Sequence, residues 1–184
     1  MITVIDDFLP YIESEILSRA LTNPQVTWVG SNAVYDDDPI SPKCDPKYNF
    51  QLCHVFLESK SQMMINKNTF HLLDALVKKI NATEWVRIKL NLNPCNSQII
   101  EHGFHIDHTS PRDDSWTAIY YVNSNNGYTL FKDGTKVESI RNRFVVFPSK
   151  LQHSGTTCTD VYARLVLNLN FFKDSIEELT NVRL

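Results

Sequence analysis

Beyond Trp85 the hydrophobic pattern of this chain changes from a helical period to a period of two, and that change constrains the fold most. Arg87, Lys89, Asn91 and Asn93 alternate with Ile88, Leu90 and Leu92, which predicts a strand with one polar and one apolar face. Residues 117–123 form a stretch rich in β-branched and aromatic side chains. Residues 128–131 follow a turn at Asn125-Asn126-Gly127, and Lys132-Asp133-Gly134-Thr135 is a hairpin signal. Residues 143–147 make another strand, stopped by Pro148. Within 161–172, Leu165, Leu167, Leu169 and Phe171 lie on one side and Arg164, Val166, Asn168 and Asn170 on the other.

The N-terminal part reads differently. Residues 2–9 suggest a short strand and turn, and Ile12, Ile16, Leu17, Ala20 and Leu21 recur at helical spacing. Phe70, Leu73, Leu76, Val77 and Ile80 predict a second amphipathic helix, capped by Asn66 or Asn68 and ending near Lys78-Lys79. Between them, residues 30–49 carry Ser31-Asn32, Asp36-Asp37-Asp38, Pro39, Pro42 and Pro46, the marks of a long irregular loop. Such a loop is either a lid or substrate-binding segment or a variable surface connection. Helices first and strands afterwards give an α+β class, mainly β. The many short strands suggest a double-sheet jelly roll with the helices packed on one sheet's outer face. At 184 residues this is one domain: 1–84 helical support and irregular loop, 85–172 jelly-roll core, 173–184 a C-terminal tail.

Charge narrows the function classes. Lys and Arg number 18 against 21 Asp and Glu, a net −3, so the basic surface of a duplex nucleic-acid binder is missing. Met1 leads straight into Ile-Thr-Val-Ile-Asp-Asp-Phe, with no charged leader and no long apolar run, so no membrane association is expected. Cys44, Cys53, Cys95 and Cys158 show no CxxC spacing, and reduced thiols in a cytoplasmic protein are the expectation. Oligomeric state is left open.

His105 and Asp107 are two residues apart, and His153 and Arg164 follow downstream. In an extended segment, residues two apart point to the same face, so His105 and Asp107 can converge on one metal while Ile106 turns away. His153 lies past the Pro148 break, where it can complete a set of two imidazoles and one carboxylate. That set suits Fe(II) with open positions for a chelating cosubstrate and O2. Zn(II) is the alternative metal, but zinc alone gives Arg164 no role. His102 and His108 are rival ligands at unfavourable spacing. Arg164 interrupts the polar inner face of its strand, where a planar guanidinium suits a bidentate carboxylate, either a cosubstrate's or a structural Asp or Glu. No serine-nucleophile triad and no phosphate-binding P-loop motif appears.

In this order, Phe104-His105-Ile106-Asp107, 118–123, Gly127-Tyr128-Thr129-Leu130-Phe131, 142–147, His153 and Arg164 resemble the 2-oxoglutarate and Fe(II)-dependent oxygenases. The likeness is to the prolyl-4-hydroxylase-like branch with small bacterial and phage members, and it covers nearly the whole chain. It implies a double-stranded β-helix, iron held by His105, Asp107 and His153, and the distal carboxylate of 2-oxoglutarate held by Arg164. Tyr121 matches a tyrosine that helps grip that carboxylate, and Asn93 stands where many relatives have an aromatic lining the site. Three departures weaken any transfer of substrate: Asn126-Gly127 replaces Gly-Gly, an Arg stands where prolyl hydroxylases often use Lys, and Val166 replaces a serine of another branch. The expected activity is hydroxylation of an unactivated C–H bond of a protein or peptide residue such as proline. A free amino acid, nucleobase or other small metabolite is the alternative substrate, and a non-catalytic jelly-roll binding module the alternative class.

Overall fold

Alternation along the C-terminal half is used to separate two apolar layers around a polar seam. The computed structural model describes residues 1–22, 26–33, 45, 47–59, 67–107 and 110–180. Its strands are β1 (Thr3–Ile5), β2 (Val29–Ser31), β3 (Gln51–Glu58), β4 (Glu84–Pro94), β5 (Ser115–Tyr121), β6 (Tyr128–Phe131), β7 (Lys136–Glu138), β8 (Phe144–Pro148), β9 (His153–Gly155) and β10 (Ala163–Phe172). The helices are α1 (Tyr11–Leu21), α2 (Lys67–Phe70), α3 (Asp74–Ile80) and α4 (Glu177–Thr180), with a 3-10 turn at His71–Leu73 joining α2 to α3.

Seven strands form one antiparallel sheet in the order β1-β8-β5-β10-β4-β3-β2, and three form a smaller one, β7-β6-β9. Bridges Glu101↔Thr156 and His105↔His153 lay the segment 101–105 beside β9 as a further member of the small sheet. β10 is central and buried along its whole length. Its odd-numbered Leu165, Leu167, Leu169 and Phe171 join Ile88, Leu90, Ala118, Tyr120 and Val146 in the main core. Leu17, Leu21, Leu73, Leu76 and Ile80 from the helices belong to that same cluster. At about 1.5–3 kcal/mol for each fully buried aliphatic or aromatic side chain, this layer carries most of the hydrophobic stabilisation. The opposite face of the large sheet has a smaller core, where Ile119, Tyr121, Val145, Phe147 and Val166 meet Phe131 and Val137 of the small sheet. Beside it, β4 and β10 turn polar: Arg164 pairs with Asn93, Val166 with Asn91, Asn168 with Lys89 and Asn170 with Arg87.

Asn142 fixes the N-terminal segment to this frame. It takes a left-handed conformation, φ 65°, where asparagine is better tolerated than most residues. Its side-chain oxygen accepts from the Leu9 amide at 2.9 Å and the Tyr120 hydroxyl at 3.1 Å, while its amide donates to the Leu9 carbonyl at 2.8 Å.

Two expectations change. Residues 1–84 are more than helical support and loop, because they supply β1, β2 and β3 to the large sheet. Also, Ile12 and Ile16 are 70% and 63% exposed; α1 buries Ser14, Leu17 and Leu21 instead. An 11-residue helix lying on a sheet has one narrow buried stripe, and the 14, 17, 21 register claims it. Most of the predicted loop, residues 34–44 and 46, and the capping Asn66 lie outside the described residues, as do Cys44 and His108. Cys53, Cys95 and Cys158 are free thiols. Among the described residues no helix is long and apolar enough to cross a membrane.

Candidate metal and cosubstrate site

The seam between the sheets opens into a cavity of about 320 Å³ lined by the polar faces of β4 and β10, the His105–Asp107 segment and the start of β9. His105 and His153 are paired residues: each backbone N–H donates to the other's carbonyl, at 2.9 and 3.1 Å. Their rings come to 4.7 Å between centroids. Each Nδ1 lies 3.3 Å from a backbone carbonyl two residues back, Gly103 for His105 and Leu151 for His153. Donation to those carbonyls leaves both Nε2 lone pairs facing inward, toward Asp107. His153 Nε2 is 3.1 Å from Asp107 Oδ2 and His105 Nε2 is 3.7 Å from Oδ1. One donor atom from each of the three residues falls within 4.8 Å of the others.

Asp107 is held from behind. Arg87 Nη2 donates to Oδ1 at 3.0 Å, and Asn168 Nδ2 donates to Oδ2 at 2.7 Å. Burial pushes the carboxyl pKa up, but His153, Arg87 and His105 outweigh it and hold the group well below the usual carboxylate range. Burial and the proximity of His153 push His105 down to about 4, against Asp107 and the Gly103 carbonyl, so its imidazole is neutral at pH 7. A carboxylate beside imidazoles presenting Nε2 is a donor set that fits a divalent metal with open positions, Fe(II) among them.

Arg164 is wholly buried at 2% exposure, yet among the described residues no carboxylate pairs with it. Its Nε donates to Ser139 Oγ at 2.8 Å and its Nη2 to Thr129 Oγ1 at 3.0 Å. The Tyr121 hydroxyl donates to the same Thr129 oxygen at 2.8 Å. Burial raises the Tyr121 pKa, opposed by Arg164, so it remains a phenol donor. Among the described residues the structural ion pair considered for Arg164 is therefore absent, and its guanidinium lines the cavity. Gly127 is required beneath it. A Cβ there would meet Arg164 Cδ at 2.7 Å and the Thr157 carbonyl oxygen at 2.6 Å. That accounts for the glycine of the Asn126-Gly127 pair.

Asn93 lies opposite Arg164 in the β4–β10 register, 4% exposed, with its Oδ1 unpartnered. His102 lines the cavity too, buried with Nε2 unpartnered, but it is not one of the three residues whose donor atoms converge. Burial, then Arg164 and His105, push its pKa down to about 4. Arg87, Asn168, Thr129 and Ser139 were not singled out by sequence reasoning. For Arg87, Thr129 and Asn168 the signal was a polar side chain within a strand; Ser139, just past the end of β7, carried none.

No protein-family profile and no curated protein matches the sequence. Solved structures do match. An oxidoreductase of the 2OG-Fe(II) oxygenase family from Burkholderia pseudomallei superposes with a TM-score of 0.64 at 10% identity, over 92% of this chain and 84% of that one. The fold is the one this oxygenase has. A prolyl hydroxylase from Trichoplax adhaerens, in complex with a hypoxia inducible factor peptide fragment, gives 0.59 at 15% identity, over 93% and 83% of the two chains. A Pseudomonas putida prolyl-4-hydroxylase gives 0.53 at 15%, over 94% and 92%. The expected jelly roll is thus the fold observed, and the expected likeness to prolyl hydroxylases is found in structure.

Proposed function

We propose that this chain is an Fe(II)- and 2-oxoglutarate-dependent dioxygenase that hydroxylates an unactivated C–H bond. The observation that carries the reading is Arg164, a buried guanidinium without a carboxylate partner in the same cavity as the triad. A cation kept in that state calls for an anion from outside the protein. His105, Asp107 and His153 would hold the iron. Arg164 would take the distal carboxylate of 2-oxoglutarate in a fork, with Tyr121 and Thr129 closing the hydrogen-bond network around it. When bound, iron with 2-oxoglutarate and O2 supplies oxidative decarboxylation to succinate and CO2 coupled to oxidation of a C–H bond.

The protein's part is positional. Arg87 and Asn168 fix the orientation of Asp107, and the carbonyls of Gly103 and Leu151 fix the two rings, so the donors need little rearrangement. Val166 and Ile119 supply apolar wall beside the polar groups. Asn93, with an unused oxygen, would accept a hydrogen bond from cosubstrate-bound water or from the substrate.

The peptide held by the Trichoplax prolyl hydroxylase supports a protein or peptide residue, proline by analogy, as the substrate. A free amino acid, nucleobase or other small metabolite is favoured instead by the polar lining from Gln51, Lys89 and Asn91. The first test is succinate formation from 2-oxoglutarate by anaerobically prepared, Fe(II)-loaded protein on exposure to O2, with 2-oxoglutarate binding measured alongside. The expected result is turnover abolished in His153→Ala. Absence of both turnover and 2-oxoglutarate binding would refute the oxygenase and leave a jelly-roll binding module.

A further inference from the structure

The cavity carries more positive charge than the proposed chemistry uses. Arg87, Lys89 and Arg164 line it, and among the described lining residues Asp107 is the only carboxylate. Three cations against one anion leave two positive charges. Histidines that bind a metal do so as neutral imidazoles, and the charge of Fe(II) is cancelled by a 2-oxoglutarate dianion, so the excess persists in the loaded site.

The three cations are not equivalent. Arg164 faces the cosubstrate carboxylate in the reading above, and Arg87 is already engaged by Asp107 at 3.0 Å. Lys89 has neither kind of partner: among the described residues it makes no hydrogen bond and has no carboxylate within ion-pairing distance. It stands directly across from Asn168, the residue whose amide holds Asp107, so its ammonium lies on the same wall as the metal ligands. Burial, then repulsion from Arg87, push its pKa down, while Asp107, Cys53 and Glu58 act against that. Around it, Asn91 Oδ1 and Asn168 Oδ1 are buried acceptors with no donor. A half-buried cation with no partner among the described residues and two unfilled buried acceptors are each costly, and one ligand with an anion and adjacent N–H or O–H groups would satisfy all three.

We infer that Lys89 anchors an anionic group, a carboxylate or a phosphate, of the prime substrate, with Asn91 and Asn168 accepting from donors beside that group. This rests on the oxygenase reading and sharpens it. The oxidised C–H bond then belongs to an acidic molecule or an acidic residue, and a neutral prolyl ring is not enough for recognition.

The test uses simple anions, which demand no particular shape. Protein in excess over Mn(II) is saturated with 2-oxoglutarate under anaerobic conditions. Paramagnetic broadening of [¹³C]acetate and of inorganic phosphate is then followed by NMR. Saturable broadening is expected in at least one arm, and the arm that responds tells carboxylate from phosphate. Lys89→Met should weaken it by about tenfold or more, and Lys89→Arg should restore it. Calorimetric 2-oxoglutarate binding should be the same in all three proteins. Flat responses in both arms with 2-oxoglutarate bound, or equal broadening in Lys89→Met, would overturn the anchor while leaving the oxygenase standing. Failure of 2-oxoglutarate to bind would remove the oxygenase reading itself and this inference with it.

Discussion

Replacing Arg164 with methionine should separate fold from function more cleanly than any other substitution in this protein. The side chain is fully buried and donates its hydrogen bonds to two neutral hydroxyls, Ser139 and Thr129. Losing those charge-assisted bonds costs about 1.5–3 kcal/mol each. Removing an uncompensated buried cation returns several kcal/mol, because its desolvation is no longer required. The two effects are of similar size, so Arg164→Met should change the stability of the ligand-free protein by no more than about 2 kcal/mol in either direction. Ligand binding behaves differently. Truncating one member of a buried, hydrogen-bonded charge pair costs about 2–5 kcal/mol, which weakens 2-oxoglutarate by about thirtyfold to a few thousandfold. In the wild type, 2-oxoglutarate at about 100 times its Kd stabilises by about 2.7 kcal/mol, a Tm rise of about 5–11 °C for a chain of this size. In Arg164→Met at the same concentration that rise should fall to about 4 °C at most, and to nothing at the weaker end of that range. The assay is thermal unfolding of metal-loaded protein with and without 2-oxoglutarate. A variant that loses several kcal/mol without ligand but keeps its full ligand-induced shift would show that the guanidinium is structural.

Two further outcomes follow from other parts of the molecule. Asn142→Ala leaves the buried Leu9 amide and carbonyl unpaired and places alanine at φ 65°, so it should cost about 3–4 kcal/mol, a Tm fall of roughly 10 °C; a loss below about 1 kcal/mol in denaturant unfolding would contradict that linkage. Asp6 has its pKa lowered, chiefly by the hydrogen bond from Arg143 and despite partial burial, so its contribution is full above pH ~4 and is lost as acid titrates it through the depressed folded value. Being well exposed, the pair is worth at most about 1 kcal/mol, and the stability gap between wild type and Asp6→Asn should close below about pH 3; a gap unchanged at that pH would mean the contact is not ionic.

The part of the site written in short-range spacing was legible, and the part assembled across strands was not. His105 and Asp107 could be named because two-residue spacing in an extended segment has one geometric meaning, His153 from its place past the Pro148 break, and Arg164 because a charge within a buried alternating strand is conspicuous. Period-two alternation likewise revealed β4 and β10, and β-branched and aromatic composition revealed β5. By contrast, β3 and β2 were hidden. Gln51–Glu58 mixes buried polar and apolar residues because its strand borders the cavity as well as the core, which blurs the alternation. Arg87 and Asn168 as partners of Asp107 depend on the β4–β10 register, and nothing local to either residue encodes that pairing. The exposed Ile12 and Ile16 show the limit from the other side: helical spacing specifies several apolar stripes, and the sheet below decides which is covered.

The pairing of His105 with His153 also bears on how the protein opens. Segment 101–105 is the outermost described member of the small sheet, held to β9 by a few backbone bonds, among them His102 N–H to the Gly155 carbonyl and the reciprocal pair between the two histidines. Sheet margins are where native proteins breathe at low free-energy cost. Here one proposed metal donor, His105, lies on the margin and a second, His153, pairs with it from β9, so fraying there separates the two imidazoles. A metal bound as proposed would act as a clasp on the edge of the sheet, and slow amide exchange along 102–105 and 153–155 would become a gauge of its retention.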